Sequence, residues 1–107
     1  MTEKQVEAYL VKRVKELGGL CLKFTSPSRV GVPDRVCILP RATVFWVEVK
    51  KEGGELSVRQ ERELALYSDL GHHTAVVYCK RDVDWVVGCM QNVINETAEM
   101  PGERFFH

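Results

Sequence analysis

Two β-branched runs, Asp34 to Leu39 and Thr43 to Lys50, are separated only by Pro40, Arg41 and Ala42. So short a connection predicts an antiparallel hairpin whose register is set at the turn. With Leu39 facing Thr43, constant register puts Asp34 opposite Glu48. Side chains alternate along a strand, so Val44, Trp46, Glu48 and Lys50 share one face, apolar except for an acid and a base at its end. Side chains opposed across two strands lie about 5 Å apart. Two carboxylates that close repel unless a proton or a cation lies between them, and a hard divalent cation with oxygen ligands would satisfy both. The simpler alternative is an ordinary Glu48–Lys50 ion pair at a strand end, with Asp34 merely following a turn at Pro33. The residues alone leave both readings open, because a single bulge would shift the register.

The remaining elements follow from periodicity and capping. Thr2 followed by Gln5 forms a capping-box pattern, and Val6, Leu10, Val14 and Leu17 recur at helical spacing until Gly18 and Gly19. Leu20 to Phe24 alternates as a strand. Ser57 opens a second helix through Leu64, Tyr67 and Leu70, closed by Gly71, and Thr74 to Cys79 predicts a fourth strand. Asp82 is then placed as the cap of a third helix carrying Val83, Val86, Val87, Met90 and Ile94. The order is helix, three strands, helix, strand, helix, which predicts an α/β domain around a mixed sheet. Residues 1–95 form the expected domain. Residues 96–107 form a tail without clear period, in which Phe105 and Phe106 are candidates for packing on the domain or on a second subunit.

The 107 residues suffice for one domain and are too few for two cores, and a core of this size needs no disulfide or zinc staple. The 15 Lys and Arg balance the 15 Asp and Glu, so any nucleic-acid contact must come from locally clustered cations or a bound metal. Cys21, Cys37, Cys79 and Cys89 show no C-x-x-C spacing and lie in apolar runs, as small buried hydrophobes do. Neither a signal peptide nor a membrane-spanning run is visible, and the chain reads as cytosolic with reduced thiols.

Several polar residues stand where apolar ones are expected. At about 100° per residue, Glu7 falls inside the arc defined by Val6, Leu10, Val14 and Leu17. A carboxylate facing a core needs a cation, a donor or a metal, unless it snorkels from the edge of the first turns. Gln60, three residues after Ser57, is explained by a second capping box, a role that a catalytic one could share. His72 and His73 follow a helix stop, where a cation suits the C-terminus. Ser26 and Cys37 carry no local nucleophile signature.

Gly31-Val32-Pro33-Asp34-Arg35, then Glu48-Val49-Lys50 on a strand, then Gln60 opening the next helix, resembles the PD-(D/E)XK nuclease superfamily. Within it the VRR-Nuc family, the virus-type replication and repair nucleases, matches most closely. The resemblance runs from Glu7 to the fourth strand and implies a restriction-endonuclease-like αβββαβ core with a mixed sheet flanked by helices, plus a C-terminal helix. It implies that Asp34, Glu48 and the backbone carbonyl of Val49 hold Mg²⁺ or Mn²⁺. Lys50 would orient or help deprotonate the attacking water, and Gln60 would hold that water or Lys50 in place. Glu7 would reach the site directly or through a bound water. Small stand-alone members are typically phage or bacterial proteins, so the resemblance places the activity in the cytoplasm and implies a homodimer acting on branched DNA such as Holliday junctions.

Candidate phosphate contacts are Ser26, Ser28 and Arg29 in the loop from Thr25 to Val32, together with Arg35 and Lys51. A single site makes one nick, so symmetric cutting of a four-way junction requires two subunits about a two-fold axis. The alternatives are a catalytically silent DNA-binding module of the same fold, a flap or nicking nuclease, and an interaction domain whose acids are structural.

Overall fold

The computed structural model describes residues 1–97. Phe105, Phe106 and most of the expected tail lie outside the described residues. The chain runs α1 (Glu3–Glu16), β1 (Leu20–Lys23), β2 (Arg35–Leu39), β3 (Thr43–Val49), α2 (Val58–Asp69), β4 (His73–Val77) and α3 (Lys80–Glu96). Strand order is β1-β2-β3-β4, with β1, β2 and β3 antiparallel and β4 parallel to β3. Parallel neighbours need a crossover, which α2 supplies. This is the mixed-sheet α/β fold expected from the sequence.

Both capping boxes form completely. Thr2 Oγ1 accepts from the Gln5 N–H at 3.2 Å while Gln5 Oε1 accepts from the Thr2 N–H at 2.8 Å, and Ser57 and Gln60 repeat the exchange at 3.1 and 2.9 Å. The third helix starts earlier than its sequence pattern suggests. Cys79, not Asp82, is the N-cap residue and makes no side-chain cap bond, while Asp82 Oδ2 reaches back to accept from the Tyr78 N–H at 2.9 Å. That bond diverts Tyr78 from the sheet, which is why β4 ends at Val77 rather than Cys79.

The core lies between one sheet face and the pair α1 and α3. Val6, Leu10 and Val14 of α1 meet Val83, Val86, Val87, Met90 and Ile94 of α3 over Cys37, Leu39, Phe45, Val47, Val49 and Val77. Each fully buried Val or Leu contributes roughly 1.5–3 kcal/mol. Tyr9 Oη donates to Asp84 Oδ1 at 2.5 Å, and Arg13 pairs with the same carboxylate, so the two helices are also joined at the surface. The four cysteines are free thiols, with Cys21 and Cys37 opposed across β1 and β2 at an Sγ–Sγ distance of 3.8 Å.

The second face carries Val36, Ile38, Val44, Trp46 and Glu48. α2 covers its β3–β4 side, where Tyr67 packs edge-on against Trp46 with ring centroids 5.1 Å apart. Toward β1 the face stays open, and Leu20, Leu22 and Ile38 are exposed. The hairpin turn places Arg41 and Ala42 at φ 58° and 59°, with the Thr43 N–H closing on the Pro40 carbonyl at 3.3 Å. Arg41 Nη1 donates to the Ile94 and Thr97 carbonyls at 3.3 Å each, tying the turn to the end of α3. Among the described residues, no helix is long and apolar enough to cross a membrane.

Candidate active site

Leu39 does pair with Thr43, and the ladder continues to Arg35 opposite Val47. One step further, Asp34 and Glu48 come together. The ladder itself stops at Arg35 because the Asp34 side chain replaces the next backbone acceptor: its Oδ2 accepts from the Val49 N–H at 2.9 Å. The Asp34 main-chain carbonyl accepts from the Phe24 N–H, also at 2.9 Å. One residue thus bridges the ends of β1 and β3, and its carboxylate is oriented by the backbone.

Glu48 is 1% exposed, and its Oε2 is buried without a hydrogen-bond partner among the described residues. Burial, and then the neighbouring Asp34 carboxylate, push the Glu48 carboxyl up to about 8, against the opposing pull of the Lys50 charge. Lys50 makes no ion pair within 4.0 Å among the described residues, while its main-chain N–H holds the Val77 carbonyl at 2.9 Å. Its backbone is therefore fixed two residues from Glu48, and its ammonium is left uncommitted among the described residues.

These residues fit a hard divalent cation. A buried, unpartnered carboxylate oxygen beside a second carboxylate is costly on its own and is relieved by positive charge. The fit involves two acids only, because among the described residues no group of three or more His, Cys, Asp or Glu side chains is arranged to hold a metal.

Glu7 stands elsewhere. Its Oε2 accepts from Arg35 Nε at 2.8 Å, and Arg35 Nη1 also donates to the Cys21 carbonyl at 3.2 Å. Arg35 pairs with Val47, so this ion pair lies toward the α1 side of the sheet, across from the face that carries Asp34 and Glu48. Arg35, a candidate phosphate contact, has its Nε and Nη1 engaged in this way and its side chain is 17% exposed. The inward position of Glu7 is met by the cation that such an acid requires.

Gln60 spends its side-chain oxygen on the cap of Ser57, and its amide nitrogen makes no hydrogen bond among the described residues. The start of α2 is pressed against the loop that leads into Asp34. Gly31 adopts φ +83°, and a Cβ there would meet the Arg59 carbonyl carbon and oxygen at 2.8 Å, so only glycine fits. Arg29 locks the same contact from the other side, its Nε donating to Glu63 Oε2 at 3.2 Å and its Nη2 to Oε1. That bond holds the Glu63 carboxyl below the usual carboxylate range. Ser26 Oγ accepts from the Arg29 N–H at 3.2 Å and shapes the loop, whereas Ser28 and Lys51 are exposed.

Sequence patterning had not singled out Glu63, although it is buried on α2. Its spacing from Gln60, Leu64 and Tyr67 puts it on the inner stripe of the helix, the same signal that marks Glu7. His72 Nδ1 accepts from Trp46 Nε1 at 3.1 Å, and His73 stacks on Phe45 with centroids 4.7 Å apart, so both rings serve the packing of the sheet end.

The order of elements and the paired carboxylates resemble a nuclease domain of the PD-(D/E)XK type. No family model matches the chain. A protein of Acyrthosiphon pisum secondary endosymbiont phage 1, described as "Putative nuclease p44", is 41% identical over 75 residues, which span 70% of this chain and 81% of the phage protein. A solved structure described as a VRR_NUC domain superposes with a TM-score of 0.76 at 32% identity, covering 82% of this chain and 97% of that one. The chain belongs to the VRR-Nuc family of nucleases.

Proposed function

We propose that the protein is a metal-dependent, structure-specific DNA endonuclease that works as a homodimer on Holliday junctions or other branched DNA, in the cytoplasm of a bacterium or a phage-infected host. The observation that carries this reading is the buried, unpartnered Oε2 of Glu48 beside Asp34. Asp34, Glu48 and the Val49 carbonyl are the residues that would hold Mg²⁺ or Mn²⁺. When bound, the cation would make a water more acidic and offset the charge that builds on the scissile phosphate.

The chain's own groups do the rest. The Asp34 carboxylate is aimed by the Val49 N–H, so it needs no reorganisation to take up its role. Lys50, without an ion pair among the described residues, orients the attacking water or helps remove its proton. Gln60, fixed at its oxygen by the cap, offers its amide protons to that water, or the remaining lone pair of its oxygen to the Lys50 ammonium. Glu7 acts at one remove: it fixes Arg35, the residue next to Asp34, through their ion pair. Ser28 and Lys51, which are exposed, supply phosphate contacts around the site, and Ser26, Arg29 and Arg35, whose side chains are partly engaged within the protein, support them.

The test is a denaturing-gel assay on a labelled four-way junction, its linear duplex and a flap, in Mg²⁺, Mn²⁺ or EDTA, with wild type and Lys50→Ala. Paired, metal-dependent cuts on the junction that vanish in the variant support the reading. Intact substrates with folded protein in either metal reject it in favour of the silent binding module.

A further inference from the structure

A cavity of about 310 Å³ opens between the loop before Asp34 and the first turns of α2, lined by Ser28, Arg29, Val30, Arg59, Arg62 and Glu63. Its wall sets three guanidiniums against one carboxylate, in a chain whose formal net charge is zero. Glu63 is already matched to Arg29. Arg59 and Arg62 have no carboxylate within 4.0 Å among the described residues. Three positions apart on a helix, they project to the same side. Two such cations repel each other unless an anion lies between them, and the partial positive charge at the start of α2 adds to the demand.

We propose that this cavity grips a backbone phosphodiester of the DNA at a nucleotide other than the one cut, with Arg59 and Arg62 as its principal ligands and the Ser28 hydroxyl as a third donor. The inference rests on the nuclease reading and deepens it. Guanidinium forks match phosphate oxygens in pairs, and an interaction of this kind fixes register on the duplex without reading sequence. Gly31 gives that register its use: with the loop seated directly on the Arg59 backbone, a phosphate held by Arg59 stands in a fixed relation to Asp34, three residues along the chain. The Arg29–Glu63 pair then serves as the rigid back wall of the cavity.

The test measures binding of a fluorescent four-way junction and of its duplex arm in EDTA, where no cleavage occurs, as a function of KCl concentration. Four proteins are compared: wild type, Arg59→Gln/Arg62→Gln, the charge-keeping Arg59→Lys/Arg62→Lys, and Lys12→Gln/Lys15→Gln, which removes the same charge from α1. Circular dichroism establishes that each is folded, and wild-type cleavage in Mg²⁺ and Mn²⁺ is assayed in parallel.

The expected result is about tenfold or greater loss of affinity in the Gln pair, with a log–log salt slope shallower by about 1 for each phosphate that is no longer neutralised. The Lys pair retains the slope while losing part of the affinity, and the α1 variant stays within about twofold of wild type because its charges touch no phosphate. If wild type cuts DNA and the Gln pair binds like the α1 variant, the cavity proposal is overturned while the nuclease reading stands. Wild type that neither binds nor cuts any DNA overturns both.

Discussion

Asp34 receives the Val49 N–H on one carboxylate oxygen, Oδ2, at 2.9 Å, which leaves Oδ1 without a hydrogen bond among the described residues. The residue is therefore half structural and half available, and the two halves are separable. Asp34→Asn keeps an oxygen that can accept from Val49 but loses the negative charge. Cleavage of branched DNA should fall at least about 100-fold, as when a group that stabilises transition-state charge is removed. Above pH 8 in EDTA, where Glu48 has lost its proton, its melting temperature should stay at or above that of wild type, since repulsion with Glu48 is relieved. Asp34→Ala loses the same activity and in addition about 1 kcal/mol of stability, from the orphaned Val49 N–H. Gel cleavage and thermal melting, run on both variants, check this.

The raised carboxyl of Glu48 makes the stability of the cation-free protein depend on pH. Between the ordinary glutamate pKa near 4.5 and its value of about 8 here, the folded chain keeps a proton that the unfolded chain has released. Stability therefore declines as pH rises through that window, by at most about 1.4 kcal/mol per pH unit. Glu48→Gln should flatten this decline and melt higher than wild type at pH 8 in EDTA. Adding Mg²⁺ or Mn²⁺ at pH 8 should raise the melting temperature of wild type, through binding to the folded state, and leave Glu48→Gln unmoved.

Arg29 and Glu63 are joined by two hydrogen bonds, and Glu63 is the buried partner. Removing the arginine strands an acid in the protein, so Arg29→Ala should lower the melting temperature more than Glu63→Ala. The double variant should lose less than the sum of the two. Because Arg29 depresses the Glu63 carboxyl, this contribution is present at neutral pH. It is lost as pH falls below the ordinary glutamate value and through the lower folded one. Melting curves of the four proteins at pH 7 and pH 4 measure the coupling.

The hairpin turn places two residues with side chains in the left-handed region. Arg41 is compensated by its bonds to the end of α3, but among the described residues Ala42 has no comparable interaction to offset its strain. Ala42→Gly should therefore stabilise the protein, by about 0.5–1 kcal/mol after the added freedom of the unfolded chain is counted. Chemical denaturation reads the change without reference to activity.

Local signals in the sequence carried most of the architecture. Thr2 with Gln5 and Ser57 with Gln60 encode their helix starts within four residues, and the Val83, Val86, Val87, Met90 and Ile94 stripe is buried as a set. The opposition of Asp34 and Glu48 was legible because a short hairpin sets the register at its turn, and the ladder runs without a bulge from Leu39 opposite Thr43 to Arg35 opposite Val47. What escaped was set by interactions between distant elements. Asp82 has the chemistry of a cap, but its carboxylate is claimed by Tyr78, and nothing near it in sequence says so. Glu7 needed a cation and Arg35 was one of several in the chain, yet only the packing of α1 against the sheet joins them. Glu63 shows its inward stripe, but its partner lies 34 positions earlier in a loop without periodicity.

Gly31 against Arg59 has a consequence for how the molecule comes apart. The loop that leads into Asp34 and the first turn of α2, which carries the arginine cavity, meet in a seam too tight for a methyl group. Such a seam cannot loosen on one side alone, so these parts should open and close as one cooperative unit. In native-state hydrogen exchange the amides of Val49 and Arg62 would then report a common opening free energy, and the ability to hold DNA and the ability to cut it would disappear in the same event.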